Sequence, residues 1–335
     1  TEIAIYGLEG NDNITVQSSV NIITLLYGGS GNNNLVAAGS NQNFIVTIGG
    51  SGKNVVTGNG INTAFWVAPG DTVNASAKEI AAGGVHTVSS FYGGVSTQLN
   101  GQNLADPTDS GKTANYKNYS LFGSRPLHTD INQGSLADCY FLASLASFAY
   151  SMPGRLMQMA VDLGDGTYAV QFKRNGTMQY VRVDADLPVN SSGNLIYNKI
   201  KSGGAIWGSI MEKAYAFFRN GKGTYTSLNL GWTGNVYSDF GVSNSTFLTN
   251  VSATSLYNTI SNALAAGKAI SIVSKTSTSS PISASHAYSI FDAYTSNGTM
   301  YVVVKNPFGT GNNNGLITLT IAQLISNFSN GTISS

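Results

Sequence analysis

From residue 1 to about residue 66, short runs of β-branched and aliphatic residues alternate with polar turns. YGLEGNDNITV begins at Tyr6, YGGSGNNNLVA at Tyr27 and IGGSGKNVVTG at Ile48. Gly10, Gly31 and Gly52 mark a repeat of 21 residues, with the half-repeats SSVNIITLL and GSNQNFIVTI between them. A polar turn and a short strand thus recur about every ten residues, the pattern of a β-solenoid whose coils hold only when stacked. AFWVA and VHTVSSFYGG, separated by PGD and AAGG turns, extend or cap this array to about residue 95. Residues 96–120 are polar and without periodicity, and read as a linker.

The pattern changes beyond Leu121. In DINQGSLADCYFLASLASFAY, Phe141, Leu142, Leu145 and Phe148 recur at the spacing of a helix buried on most of its surface. Asp138 stands at the N-cap, so Cys139 opens this helix. Strands near Tyr168–Lys173 and Met178–Val183 join at Asn175-Gly176 as a hairpin. The Trp207 helix sets Ile210, Met211, Ala214, Tyr215 and Phe218 on one face and turns Glu212 and Lys213 away from it. A helix over about Leu256–Ala265 precedes a buried strand, AISIVS. A second hairpin runs His286–Tyr294 to Met300–Lys305, turning at Asn297-Gly298. Thr320 and Gln323 form a capping box for a last helix reaching Phe328.

Composition narrows what such a chain does. Its 335 residues suffice for two domains, and 17 Lys and Arg against 16 Asp and Glu leave a net charge of +1. There is no electrostatic case for nucleic acid or an anionic membrane surface. No apolar run approaches a membrane span, and no signal peptide is visible. The chain opens on Thr1, which reads as an excised or processed piece. One cysteine excludes an internal disulfide framework and a Cys-based zinc site, and the three histidines, His86, His128 and His286, are scattered. His86 reads as a surface or packing residue.

Candidate chemistry gathers on Cys139. A lone cysteine by itself reads as a small buried hydrophobe. At a helix start, however, unpaired N–H groups and the macrodipole favour its thiolate. His286 follows after 147 residues and Asn306 after 20 more, the Cys, His, Asn order of papain-like cysteine proteases. Antiparallel pairing of the second hairpin brings His286 and Asn306 together.

QGSLADCYFLASLA resembles the active-site helix of the calpain family of cysteine proteases. HAYSI resembles that family's His motif, KNPFG its Asn-Pro-aromatic-Gly motif, and AIWGSIMEKAYAFF (Ala205 to Phe218) the helix that opens the second half of its core. The resemblance covers residue 121 onward and says nothing of the first hundred or so. It implies an α+β papain-like core in two lobes, helical over about 121–202 and β-rich over about 203–335, behind an all-β solenoid over residues 1–95. It further implies an endopeptidase acting on protein or peptide substrates through a thioester. Cys139 is then the nucleophile, His286 the general base, and Asn306 the group that orients the imidazole. Gln133 and the Cys139 N–H form the oxyanion hole. Tyr140 and Phe308 replace family tryptophans, and Ala137 and Ser285 replace family glycines, without removing a catalytic atom.

Animal calpains bind calcium in this core. Asp130 matches one acidic ligand position, but Thr226 stands where a second, a glutamate, is expected. The expectation is therefore a core that requires no calcium or other cofactor. The N-terminal repeats resemble the calcium-binding nonapeptides of secreted RTX proteins. Only Asp12 keeps the acid; Asn33 and Asn54 replace it in the next coils. A mostly calcium-free roll held by Asn ladders is expected, with Asp12 and Asp130 the weak metal candidates. The repeats and composition suggest a secreted or surface location in a bacterium. Two alternatives stay open: an adhesion module carrying a relic protease fold, and a transpeptidase or amidase on the same fold. Residues 100–119 are the expected site of an activating cleavage, and oligomeric state is left undetermined.

Overall fold

The computed structural model describes residues 2–39, 41–101, 103–201, 204–309 and 314–335; parts of the expected linker (Gln102) and lobe junction (Ser202 and Gly203) lie outside it. The first ninety residues form a β-solenoid of about four coils. Glu2–Tyr6, Ile23–Tyr27, Asn43–Val46, Ala64–Val67 and Val85–Thr87 make one parallel sheet, and Asn13–Val16, Asn34–Ala37, Val55–Thr57 and Thr72–Asn74 make a second. Equivalent residues stack in register, Ile5 on Leu26, Leu26 on Ile45 and Ile45 on Phe65. With Val16, Leu35 and Val56 they fill the space between the sheets.

The turns are held by side-chain amides and, at the last coil, a carboxylate. Asn33 Oδ1 accepts the N–H of Asp12 at 2.9 Å, Asn54 Oδ1 that of Asn33 at 3.0 Å, and Asp71 Oδ1 that of Asn54 at 2.8 Å. A second ladder joins Asn11, Asn32 and Lys53. Each side chain satisfies an N–H that the turn would leave unpaired.

One sheet of the solenoid is buried on both faces, as its continuous apolar runs ITLLY, NFIV and AFWV require. Its outer face (Ile23, Leu25, Phe44, Val46 and Trp66) joins the same core as Phe122, Leu156 and Tyr168 of the following domain. Tyr27 donates to the Asp162 carbonyl at 3.2 Å, and Arg155 to that of Ala82 at 3.3 Å. His86 is fully buried here and stacks on Trp66 with ring centroids 4.2 Å apart. Burial lowers its imidazole pKa to about 3, so it is a neutral packing group.

The segment expected as a linker is instead an ordered strap. Arg182 donates to the carbonyls of Ser96 and Gln98 at 2.6 and 2.9 Å, and the Leu104 N–H reaches Asp184 Oδ2 at 2.8 Å. Asp109 accepts the N–H groups of Tyr225 and Thr226 at 2.7 and 2.8 Å. Thr113–Asn115 pairs with Asp186–Pro188. The strap has no hydrophobic period because hydrogen bonds, not an apolar face, hold it.

Two cores follow. The first contains the helices Cys139–Ser151, Pro153–Met159, Trp207–Phe218 and Thr233–Asp239 and the sheet of Ala160–Asp162, Thr167–Arg174 and Thr177–Asp184. The second is a six-stranded antiparallel sheet, ordered Asn244–Leu248, Phe328–Ser334, Ile270–Ser274, Ala287–Ser296, Thr299–Lys305 and Leu316–Thr320. The helices Ala253–Ala265 and Ile321–Asn327 pack on it. The lobes therefore divide near residue 243 and not 203. The Trp207 helix stays with the first, where Tyr215 stacks on Phe141 at 4.3 Å.

Both hairpin turns fall at the expected Asn-Gly pairs, with φ of 50° and 81° at Asn175-Gly176 and 47° and 76° at Asn297-Gly298. The Thr320–Gln323 capping box is formed. Glu212 and Lys213 do not face solvent: both are buried. Lys213 Nζ lies between Asp106 of the strap and Asp184 at 2.6 Å, because the strap covers the helix face left free by the core.

Candidate active site

The Cys139 helix starts where the chain emerges from the loop holding Gln133. It lies against the strand Ala287–Ser296 of the second lobe. Ser289 Oγ donates to the Ala143 carbonyl at 2.7 Å, and Ser147 Oγ to that of Ile270 at 3.1 Å. The backbone N–H of Ala287 faces the Cys139 sulfur. His286, the preceding residue, therefore opens its strand beside the thiol.

His286 Nε2 lies 2.9 Å from Asn306 Oδ1, and the Phe308 N–H donates to the same oxygen at 3.1 Å. An oxygen that accepts a backbone N–H is fixed as an acceptor, so Nε2 carries the proton and Nδ1 keeps its lone pair. Phe308 stacks on the imidazole at 4.8 Å, with planes 5° apart. The ring is thus held from its edge and from one face. Ser285, before it, has φ of 50°, the left-handed region that a glycine adopts without strain.

Burial lowers the His286 pKa, against the pull of the Asn306 bond. Burial also raises that of Cys139, and the charge of Asp138 adds to the rise, while the Ala287 N–H opposes it. Both shifts favour a neutral thiol beside a neutral imidazole. The thiolate expected from the helix start is outweighed by desolvation. Among the described residues no hydrogen bond yet joins the thiol to the imidazole.

Gln133 is buried at the same end of the helix. Its Nε2 donates to the Leu136 carbonyl at 2.7 Å and lies 3.5 Å from Asp138 Oδ1. The Gln133 backbone N–H donates to Pro307 at 2.8 Å, and buried Lys305 reaches the carbonyls of Ile131 and Asn306 at 3.3 Å. Direct bonds thus close the seam between the lobes at the site. Asp138 occupies the N-cap position but makes no capping bond; its carboxyl turns inward toward Glu212.

Neither metal candidate stands among other acidic ligands among the described residues. Asp130 Oδ2 accepts from Trp207 Nε1 at 2.7 Å and from the Leu127 N–H at 2.9 Å, so it pins two segments. Asn33 and Asn54 spend their oxygens on the ladder, leaving Asp12 without partner ligands. Among the described residues no three His, Cys, Asp or Glu side chains gather as a metal site, and no helix is long and apolar enough to cross a membrane.

Sequence reasoning missed Glu212, Lys305, Leu230 and Trp232. Leu230 and Trp232 are large apolar residues left 79% and 66% exposed. Their loop is tied to the residue two before Cys139, by Leu230 N–H to the Ala137 carbonyl at 3.0 Å and Ala137 N–H to Asn229 Oδ1 at 2.9 Å. Leu230 has φ of 61°, unusual for a leucine.

A helical lobe against an antiparallel lobe, with a cysteine helix facing a His–Asn pair, is the architecture of a papain-type cysteine protease domain. The model of the calpain family cysteine protease matches residues 111–320, well over half of the chain, and the chain belongs to that family. Human calpain-8 is 30% identical over 200 residues, which cover 54% of this chain and 28% of calpain-8. The rat calpain-1 catalytic subunit is 28% identical over 201 residues, covering 54% and 27%. Human calpain-14 is 29% identical over 130 residues, covering 37% and 19%. The chain thus spans less than a third of the length of these relatives.

Proposed function

We propose that the chain is a cysteine endopeptidase that needs no calcium. Cys139 is the nucleophile. His286 Nδ1 takes the thiol proton as the sulfur attacks the scissile carbonyl, and then gives it to the leaving amine. Water resolves the thioester, passing a proton back through His286 to restore the thiol. Asn306 holds the ring with Nε2 protonated. The Cys139 N–H and the Gln133 amide receive the oxyanion, Gln133 after its Nε2–H turns from Leu136. Leu230 and Trp232 form an apolar rim for substrate side chains.

The observation that carries this reading is the imidazole, fixed by Asn306 and Phe308, immediately before the strand whose first N–H faces the Cys139 sulfur. Calcium independence is supported by the direct Gln133–Pro307 and Lys305–Ile131 bonds, which join the lobes without a metal. The test is cleavage of a mixed peptide library by wild type and Cys139→Ala, with calcium and with chelator. Cleavage by wild type alone, equal in both conditions, is expected. Cleavage only with calcium would overturn the metal-free part, and none in either condition would overturn the peptidase. Growth of transpeptidation products when free amines are added would favour the acyl-transfer alternative.

A further inference from the structure

Behind the cysteine lie two acids that the proposed mechanism does not use. Asp138 and Glu212 are 0% and 2% exposed, and their carboxyl groups lie within reach of one another. Asp138 Oδ2 and Glu212 Oε1 are buried and accept from no N–H or O–H donor. The remaining oxygens are committed, Glu212 Oε2 to the Asn198 N–H at 3.0 Å and Asp138 Oδ1 toward Gln133 Nε2 at 3.5 Å. Two carboxylates cannot bond each other, since neither has a donor. A single proton held between them would satisfy both orphaned oxygens.

The surroundings supply no cation to replace it. Lys213, next in the helix, is taken by Asp106 and Asp184. Arg219 attracts Asp138 from a distance but spends its donors on the carbonyls of Ser227, Leu228 and Leu230. The other titratable groups facing the pair are Cys139 and Tyr140, which feel Asp138, and Tyr197 and Tyr225, which feel Glu212. All of these are neutral in their usual form at pH 7. Burial raises Asp138 to about 7 and lifts Glu212 well above the usual carboxylate range.

We propose that Asp138 and Glu212 are a proton-sharing carboxyl pair that positions the Gln133 amide and limits the negative charge beside the Cys139 sulfur. Both are positioning residues. A fully ionised Asp138 beside the nucleophile would oppose the thiolate; the shared proton removes that opposition while leaving Oδ1 as an anchor for Gln133. The consequence for turnover rests on the peptidase reading, but the consequence for the thiol does not.

The test uses the single cysteine. The whole chain is alkylated with iodoacetamide across pH, and the apparent thiol pKa is read by mass spectrometry. Glu212→Gln donates an amide N–H to Asp138 and leaves it ionised. The thiol pKa should rise by about one unit, cutting alkylation at neutral pH about tenfold. Asp138→Asn removes the charge, and the thiol pKa should fall. Two near-isosteric changes at touching atoms then act in opposite directions, which loss of packing does not produce. Should Glu212→Gln not fold, the Asp138→Asn/Glu212→Gln double variant, whose amides can pair, should match Asp138→Asn. Shifts in the same direction, or none beyond about 0.3 unit, overturn the proposal. In peptide turnover the Glu212→Gln loss should fall on kcat with KM unchanged. Opposite thiol shifts without any wild-type turnover would keep the pair and discard the peptidase.

Discussion

Lys213→Met tests how the strap is attached. The ammonium is wholly buried and bonds Asp184 Oδ1 at 2.6 Å, the Asp186 carbonyl at 2.8 Å, and Asp106 of the strap. Methionine fills the same volume but leaves two carboxylates facing each other, one of them 5% exposed. Asp184 Oδ2 still accepts from Leu104 and Oδ1 from the Asp186 N–H, so it keeps two partners and loses its charge partner. Removing one member of a buried pair costs about 3–5 kcal/mol. Because the side chain of Asp106 is 28% exposed, water recovers part of its share, and the lower end, about 3 kcal/mol, is expected. At a urea m-value of roughly 3 kcal/mol/M, the unfolding midpoint should fall by about 1 M. The strap should also loosen, so trypsin should cut at Lys112 or Lys117 well before the rest of the chain. A midpoint shift equivalent to less than about 1 kcal/mol, with no new cleavage between residues 96 and 120, would refute the argument that this pair docks the strap.

Three further outcomes follow from the same reasoning. His86, lowered from 6.5 to about 3, contributes stability that is present above pH 6.5 and lost as pH falls toward its folded value, by about 1.4 kcal/mol per unit; His86→Phe should flatten this acid limb in thermal melts. Asn54→Ala removes the acceptor of the Asn33 N–H and Nδ2 and the donor to Asp71, and should cost about 2–3 kcal/mol in chemical denaturation, against under about 1 kcal/mol for exposed Asn32→Ala. Trp232→Ala, at a 66% exposed position, should leave stability within about 0.5 kcal/mol but raise KM for apolar peptides roughly tenfold, a split that steady-state kinetics and melting together would show.

The local signals were legible in the sequence by itself. The 21-residue repeat determined the solenoid and its register, because identical turns place equivalent strands in identical positions. Asn-Gly pairs fixed both hairpins, since only such residues accept two successive positive φ angles cheaply. Apolar spacing placed the Cys139 helix, and chain order placed His286 and Asn306 at adjoining strand ends.

What only the tertiary structure decided concerns polar groups meeting across long separations. Nothing in EKAYAF shows that Glu212 faces Asp138 or that Lys213 meets Asp106, 107 residues earlier, because a charged residue on a helix reads as solvated until its covering segment is known. The strap was missed for the same reason: its bonds go to Arg182, Lys213 and Tyr225, and carry no local period. The thiol's charge state was also a tertiary matter. A helix start favours the thiolate within one turn, but desolvation by burial is larger, and that burial exists only in the folded chain.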